Sequence, residues 1–232
     1  MRDSLSVEIV KARQENPEVT TLYFARPFDF TAGQYISVFI PDSPVRTGKA
    51  YSLSSRPFDE LASITVKNIG GEFSSYLCSR RVGDVIHISR AYGDFNPHTN
   101  RPLVGIVAGC GLGPIWSVMS DEGVTQDKTL YFSHKTPDYT VFDEELACSD
   151  ITVRHFSTQQ HVEGVEGWSS GRFNVDTIAR EVAGNAHFLV CGSVSFVRDV
   201  WQKLTANGVG VERISTETFF ESCVNNRQRR QL

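Results

Sequence analysis

The chain has 232 residues, enough for one large domain or for two of ordinary size that each bury a core. Its 40% hydrophobic and 22% charged residues are those of a globular protein, and a formal net charge of -4 supplies no basic field to hold nucleic acid. Five cysteines at wide intervals, none in a close pair, exclude zinc and iron–sulfur spacing and fit a reducing compartment better than a secreted framework.

At the N-terminus, MRDSLSVEIVKARQ is interrupted by charges too early for a signal peptide or membrane span, so a cytoplasmic protein is expected. Short runs of β-formers follow: LSVEIV, VTTLYFA, QYISVFI, ASITVKN and VIHIS, separated by Gly, Pro and Asp. Closely spaced strands with one short helical candidate, Phe73 to Ser79, predict an antiparallel β-barrel.

Two features in this half carry chemical groups. In Lys49-Ala50-Tyr51-Ser52-Leu53-Ser54, a tyrosine ring suits stacking on a planar cofactor, a serine hydroxyl suits a ring nitrogen, and a lysine balances a phosphate. The same strand is also ordinary barrel wall. Gly70-Gly71-Glu72-Phe73-Ser74 runs from a flexible pair into a short helix whose N-terminus attracts an anion, and is equally a plain capped turn.

The texture changes near Asn96 to Pro102, where NPHTNRP is rich in turn formers. This segment divides the chain into residues 1–98, residues 99–221 and a basic tail, 222–232. Beyond it LVGIVA, KTLYFSH, DITVRHF and HFLVCG are strand candidates separated by stretches long enough for helices, which predicts a Rossmann-like parallel sheet. The clearest helix follows Gly192, with Val197, Val200, Trp201 and Leu204 on one face.

Directly after LVGIVA comes Gly109-Cys110-Gly111-Leu112-Gly113-Pro114, before a helix expected to begin near Ile115. Missing side chains let backbone N–H groups approach a diphosphate at a helix N-terminus, where proline is tolerated. A tight turn without a ligand has the same composition. The six histidines have no metal spacing, and both His-Glu-x-x-His and Gly-x-Ser-x-Gly are absent, so no metal site, metalloprotease or α/β-hydrolase is expected.

Taken in order, these motifs and Cys191-Gly192 make residues 5 to 220 similar to the ferredoxin-NADP reductase superfamily. That family holds flavin with Arg-x-Tyr-Ser, its phosphate with Gly-Gly-x-x-Ser, and a nicotinamide dinucleotide with Gly-x-Gly-x-x-Pro and a Cys-Gly pair. Tyr51, Ser52, Gly70, Gly71, Ser74, Gly109, Gly111, Pro114, Cys191 and Gly192 match those positions, and Lys49 stands in the arginine position. Arg46 lies three residues before it. The segments ending in Gly93-Asp94-Phe95 and Glu144-Glu145-Leu146 also resemble the family.

The resemblance implies an N-terminal antiparallel flavin-binding β-barrel followed by the dinucleotide-binding half, with FAD, or FMN, accepting a hydride from NADH or NADPH. It places Ser52 near flavin N5, Cys191 near the reacting nicotinamide carbon and Glu217 near the nicotinamide, as the catalytic set. Ala50, Leu53, Lys67, Phe73, Leu112 and Gly113 complete the cofactor-binding set, and Phe219 or Phe220 shields the flavin. Lys135 and Arg154 keep NADPH open, while Ser157 without an adjacent arginine favours NADH. Without a cluster-binding motif, electrons leave the chain, to a ferredoxin, a flavodoxin or an oxygenase component. Release of reduced free flavin, or a non-catalytic flavin- or nucleotide-binding subunit, are the alternatives.

Overall fold

The computed structural model describes residues 4–182 and 184–219. Alternating burial along β-branched and aromatic runs builds the first sheet from β1 (Leu5–Asn16), β2 (Val19–Ala25), β3 (Tyr35–Phe39), β4 (Lys49–Ser52), β5 (Leu61–Lys67) and β6 (Val85–Ile88). The strands are antiparallel in the order β4-β3-β6-β1-β2-β5. A bridge between Leu53 and Ile64, with Ser54 N–H donating to the Ser63 carbonyl at 2.8 Å, joins the two edges into a barrel. Ile9, Leu22, Phe24, Ile36, Ile64 and Ile88 fill it and are fully buried. Helix α1 (Glu72–Cys78) closes one end through buried Phe73 and Leu77.

The second sheet is parallel, ordered β10-β9-β8-β7-β11-β12. Its strands are β7 (Leu103–Ala108), β8 (Lys128–His134), β9 (Thr152–Ser157), β10 (Trp168–Ser170), β11 (His187–Ser193) and β12 (Ile214–Phe219). Helices α4 (Val175–Val182) and α5 (Val194–Ala206) cover one face through Ile178, Val197, Val200 and Leu204. Helix α2 (Leu112–Met119), the short α3 (Asp143–Ala147) and the barrel cover the other. Strand β7 has β8 on one side and β11 on the other, so the chain reverses its winding there and leaves a crevice beyond the carboxyl ends of β7 and β11.

Three expectations needed correction. The helix after the glycine loop starts at Leu112, not near Ile115, because Gly109–Gly111 form a 3-10 turn that runs straight into it. Trp201 is 39% exposed and leaves the buried stripe formed by Val197, Val200 and Leu204. The three-residue β10 makes the strand of Cys191 the fifth of its sheet rather than the fourth, and only the five-residue α3 and a 3-10 turn separate β8 from β9. Phe220 and the tail lie outside the described residues. Among the described residues no helix is long and apolar enough to cross a membrane, and no group of side chains could hold a metal ion.

Candidate functional site at the junction of the two sheets

The crevice at the winding reversal is floored by the glycine loop and by Cys191. A Cβ at Gly111 would lie 2.7 Å from the Cys191 carbonyl oxygen, so only glycine lets the loop rest on β11. Gly113 packs α2 against the barrel, where a Cβ would meet Ser54 at 3.2 Å, and Pro114 sits buried in the first helical turn. At Gly192 a Cβ would strike the Phe196 ring at 2.7 Å, so this glycine serves helix α5 as well as the crevice.

From the barrel side β4 delivers Ser52, whose hydroxyl donates to a carboxylate oxygen of Glu217. Register brings Glu217 opposite Cys191, so the three residues read as catalytic converge from β4, β12 and β11. Burial pushes the Glu217 carboxyl above its ordinary range, opposed by the Ser52 hydrogen bond. Burial, with Glu217 nearby, also raises the Cys191 thiol, which is therefore neutral and a poor nucleophile. The half-buried ring of Tyr51 precedes Ser52, and its hydroxyl titrates above the ordinary range because of burial. Such a set can orient and hydrogen-bond a planar ring; it is not built to attack one.

The remaining positions expected to bind cofactor divide. Lys49 is exposed, its Nζ 5.6 Å from the ring of Phe73, which places the cation beside the first turn of α1. That turn starts at Gly71 without a side-chain cap, and nothing lies within 4 Å of a Cβ built at Gly70. Backbone N–H groups, open space and a cation are the features a phosphate requires. Gly109, with φ +55, leaves similar space at the other loop. Ser74 instead turns inward, donating to the Gly71 carbonyl at 3.1 Å and stabilising the turn itself. Leu53 and Leu112 are core residues, Ala50 is exposed beside Tyr51, and Lys67 is engaged by Glu18.

Sequence reasoning missed Glu18, and it missed a ring cluster at the ends of β8 to β10. His134 and His155 share a hydrogen bond of 2.9 Å, and the Trp168 ring stacks on His155 at 4.5 Å. Burial and then the neighbouring His155 hold His134 down to about 3 from 6.5. The native His134 is thus neutral where the unfolded chain binds a proton, so stability present above pH 6.5 is lost as pH falls towards 3. The loss approaches about 1.4 kcal/mol per pH unit. His134→Gln should flatten the acid limb of the thermal unfolding midpoint between pH 6.5 and 4, and an unchanged limb would exclude this account.

No family model matches the chain. It is 31% identical to a flavohemoprotein of Bacillus subtilis across 91% of its own length and 58% of that protein. It is 27% identical to the reductase component 1 of terephthalate 1,2-dioxygenase from Comamonas, across 89% and 65%. The chain thus spans under two thirds of these relatives. Among solved structures, the flavohem-like FAD/NAD binding domain of a nitric oxide dioxygenase from Vibrio cholerae superposes with a TM-score of 0.80 at 24% identity, covering 95% of this chain and all of that one. A ferredoxin NADP+ reductase from Neisseria gonorrhoeae gives 0.80 at 19% identity, covering 93% and 98%. These likenesses show that the chain shares its two-sheet fold with the FAD/NAD binding domain of that dioxygenase and with that ferredoxin NADP+ reductase.

Proposed function

We propose that the chain is an NAD(P)H-dependent flavoprotein reductase that takes a hydride onto bound FAD and passes electrons to a redox acceptor protein. The observation that carries this reading is the hydrogen bond from Ser52 to Glu217, which joins the residues expected at the flavin to those expected at the nicotinamide. When bound, the flavin and nicotinamide supply the bond-making chemistry. The chain holds and aligns them. Tyr51 offers a ring face, Ser52 a hydroxyl, Glu217 a buried acid and Cys191 a neutral wall, while the Gly109 to Pro114 loop presents backbone to a diphosphate.

In this reading residues 1–98 hold the flavin, residues 99–221 hold the dinucleotide, and the acceptor is a ferredoxin, flavodoxin or oxygenase component in the cytoplasm. Relatives that are reductase components of oxygenases support an external acceptor. The exposed Lys49, in place of the family's arginine, favours a second reading in which flavin is held loosely and leaves reduced. Purification distinguishes them: a yellow protein bleached by NADH supports bound flavin, and a colourless one that oxidises NADH only with added flavin supports release. No oxidation in either form would exclude both. Lys49→Arg should lower the FAD dissociation constant about fivefold to tenfold, by adding a two-pronged contact to phosphate. Fluorescence quenching on titration measures it, and an unchanged constant would remove Lys49 from the phosphate site.

A further inference from the structure

Glu18 lies in the turn between β1 and β2 and grips two ammonium groups from different halves of the molecule. Lys67 at the end of β5 reaches Oε2 at 3.0 Å, and Lys135, the residue directly after β8, reaches Oε1. The Lys135 backbone is fixed as well, since its carbonyl accepts from Gln159 N–H at 2.8 Å, and its Nζ lies 4.8 Å from the Tyr139 ring. Both side chains stay within reach of a ligand, 38% exposed for Lys135 and 29% for Glu18.

The loop after the second strand of a dinucleotide-binding sheet is where the adenosine ribose is read: a carboxylate accepts its 2′-hydroxyl, and a cation takes a 2′-phosphate. Here the cation comes from that loop and the carboxylate comes from the barrel. We infer that Glu18 makes the module select NADH over NADPH by occupying Lys135, so coenzyme choice is set from the flavin half. The inference rests on the reductase reading above. A 2′-phosphate arriving at Lys135 meets the Glu18 carboxylate as a like charge, whereas a free hydroxyl donates to it. Hydrogen bonds from the two lysines hold the Glu18 carboxyl below its usual range, so it remains ionised at neutral pH.

The test uses the full chain and two probes, adenosine 5′-monophosphate and its 2′-phosphorylated form, titrated by calorimetry alongside kcat/KM for NADH and NADPH. Glu18→Gln should tighten the 2′-phosphorylated probe relative to the plain one by about tenfold, an effect that shrinks as salt rises. The double variant Glu18→Gln with Lys135→Gln should lose that gain, and Glu18→Asp should stay near the parent ratio. If Glu18→Gln fails to fold, Glu18→Lys measures the same ratio with a larger expected gain. A ratio that does not move in the single variant, or a gain that persists in the double one, overturns the inference while NADH oxidation upholds the reductase reading. A chain that binds neither probe and oxidises neither coenzyme overturns both.

Discussion

Gly111→Ala is expected to destabilise the protein by about 2–4 kcal/mol and to slow coenzyme oxidation by about a hundredfold or more. The added Cβ meets the Cys191 carbonyl oxygen at 2.7 Å, its carbon at 2.9 Å and the Gly192 nitrogen at 3.1 Å. All three are backbone atoms, on a strand bonded to β7 on one side and β12 on the other, and they cannot retreat as a flexible side chain would. The loop must lift instead, pulling buried Leu112 with it and moving the N-terminus of α2 away from the crevice. Urea unfolding and stopped-flow flavin reduction measure the two effects. A variant with the parent's unfolding midpoint and rate would show that the loop does not depend on this contact.

On the proposed reductase reading, Ser52→Ala is expected to slow flavin reduction by about a hundredfold, because the hydroxyl that links β4 to Glu217 would also align the ligands of the two halves. A second readout separates this role from a loss of packing. The Ser52 hydroxyl lowers the Glu217 carboxyl against the upward push of burial, so its removal lets that acid titrate at higher pH. Any inflection of the reduction rate that Glu217 causes should therefore move upward in Ser52→Ala and vanish in Glu217→Gln. An inflection that stays in place in both variants would remove Glu217 from the site.

Local pattern carried the fold a long way. LVGIVA, VTTLYFA and KTLYFSH span β7, β2 and β8 from end to end, because continuous apolar or alternating runs bounded by turn formers leave little choice of register. Trp168-Ser169-Ser170 went unread since a three-residue edge strand with two exposed serines has no periodicity to detect. Trp201 followed the helical spacing of its neighbours, yet it stands exposed, because spacing says nothing of what lies opposite a position. The glycine loop was placed correctly in order, but its helix began earlier because a 3-10 turn continues into an α-helix without a break.

For the candidate site, the motif residues that meet at the crevice could be named from the sequence, while their partners could not. Glu18 and Lys135 are 117 residues apart, and His134 and His155 belong to different strands. The first pair exists only once the two sheets have packed together, and the second only once β8 and β9 have paired. The signal that would have found Glu18 is an acid in a tight turn at the end of the long β1 hairpin, a position too common to single out.

The seam between the sheets has its own consequence. Val19, Ala32 and Phe95 from the barrel share one apolar cluster with Val118 and Met119 of α2, and the buried Ser117 hydroxyl donates to the Ser55 carbonyl at 2.7 Å. Producing the halves separately, divided between residues 96 and 102, would wet both sides of that cluster, so each alone is expected to lose stability. On the proposed reductase reading, what can be transplanted from one acceptor system to another is the pair, carried together as a single cassette with its internal alignment already set.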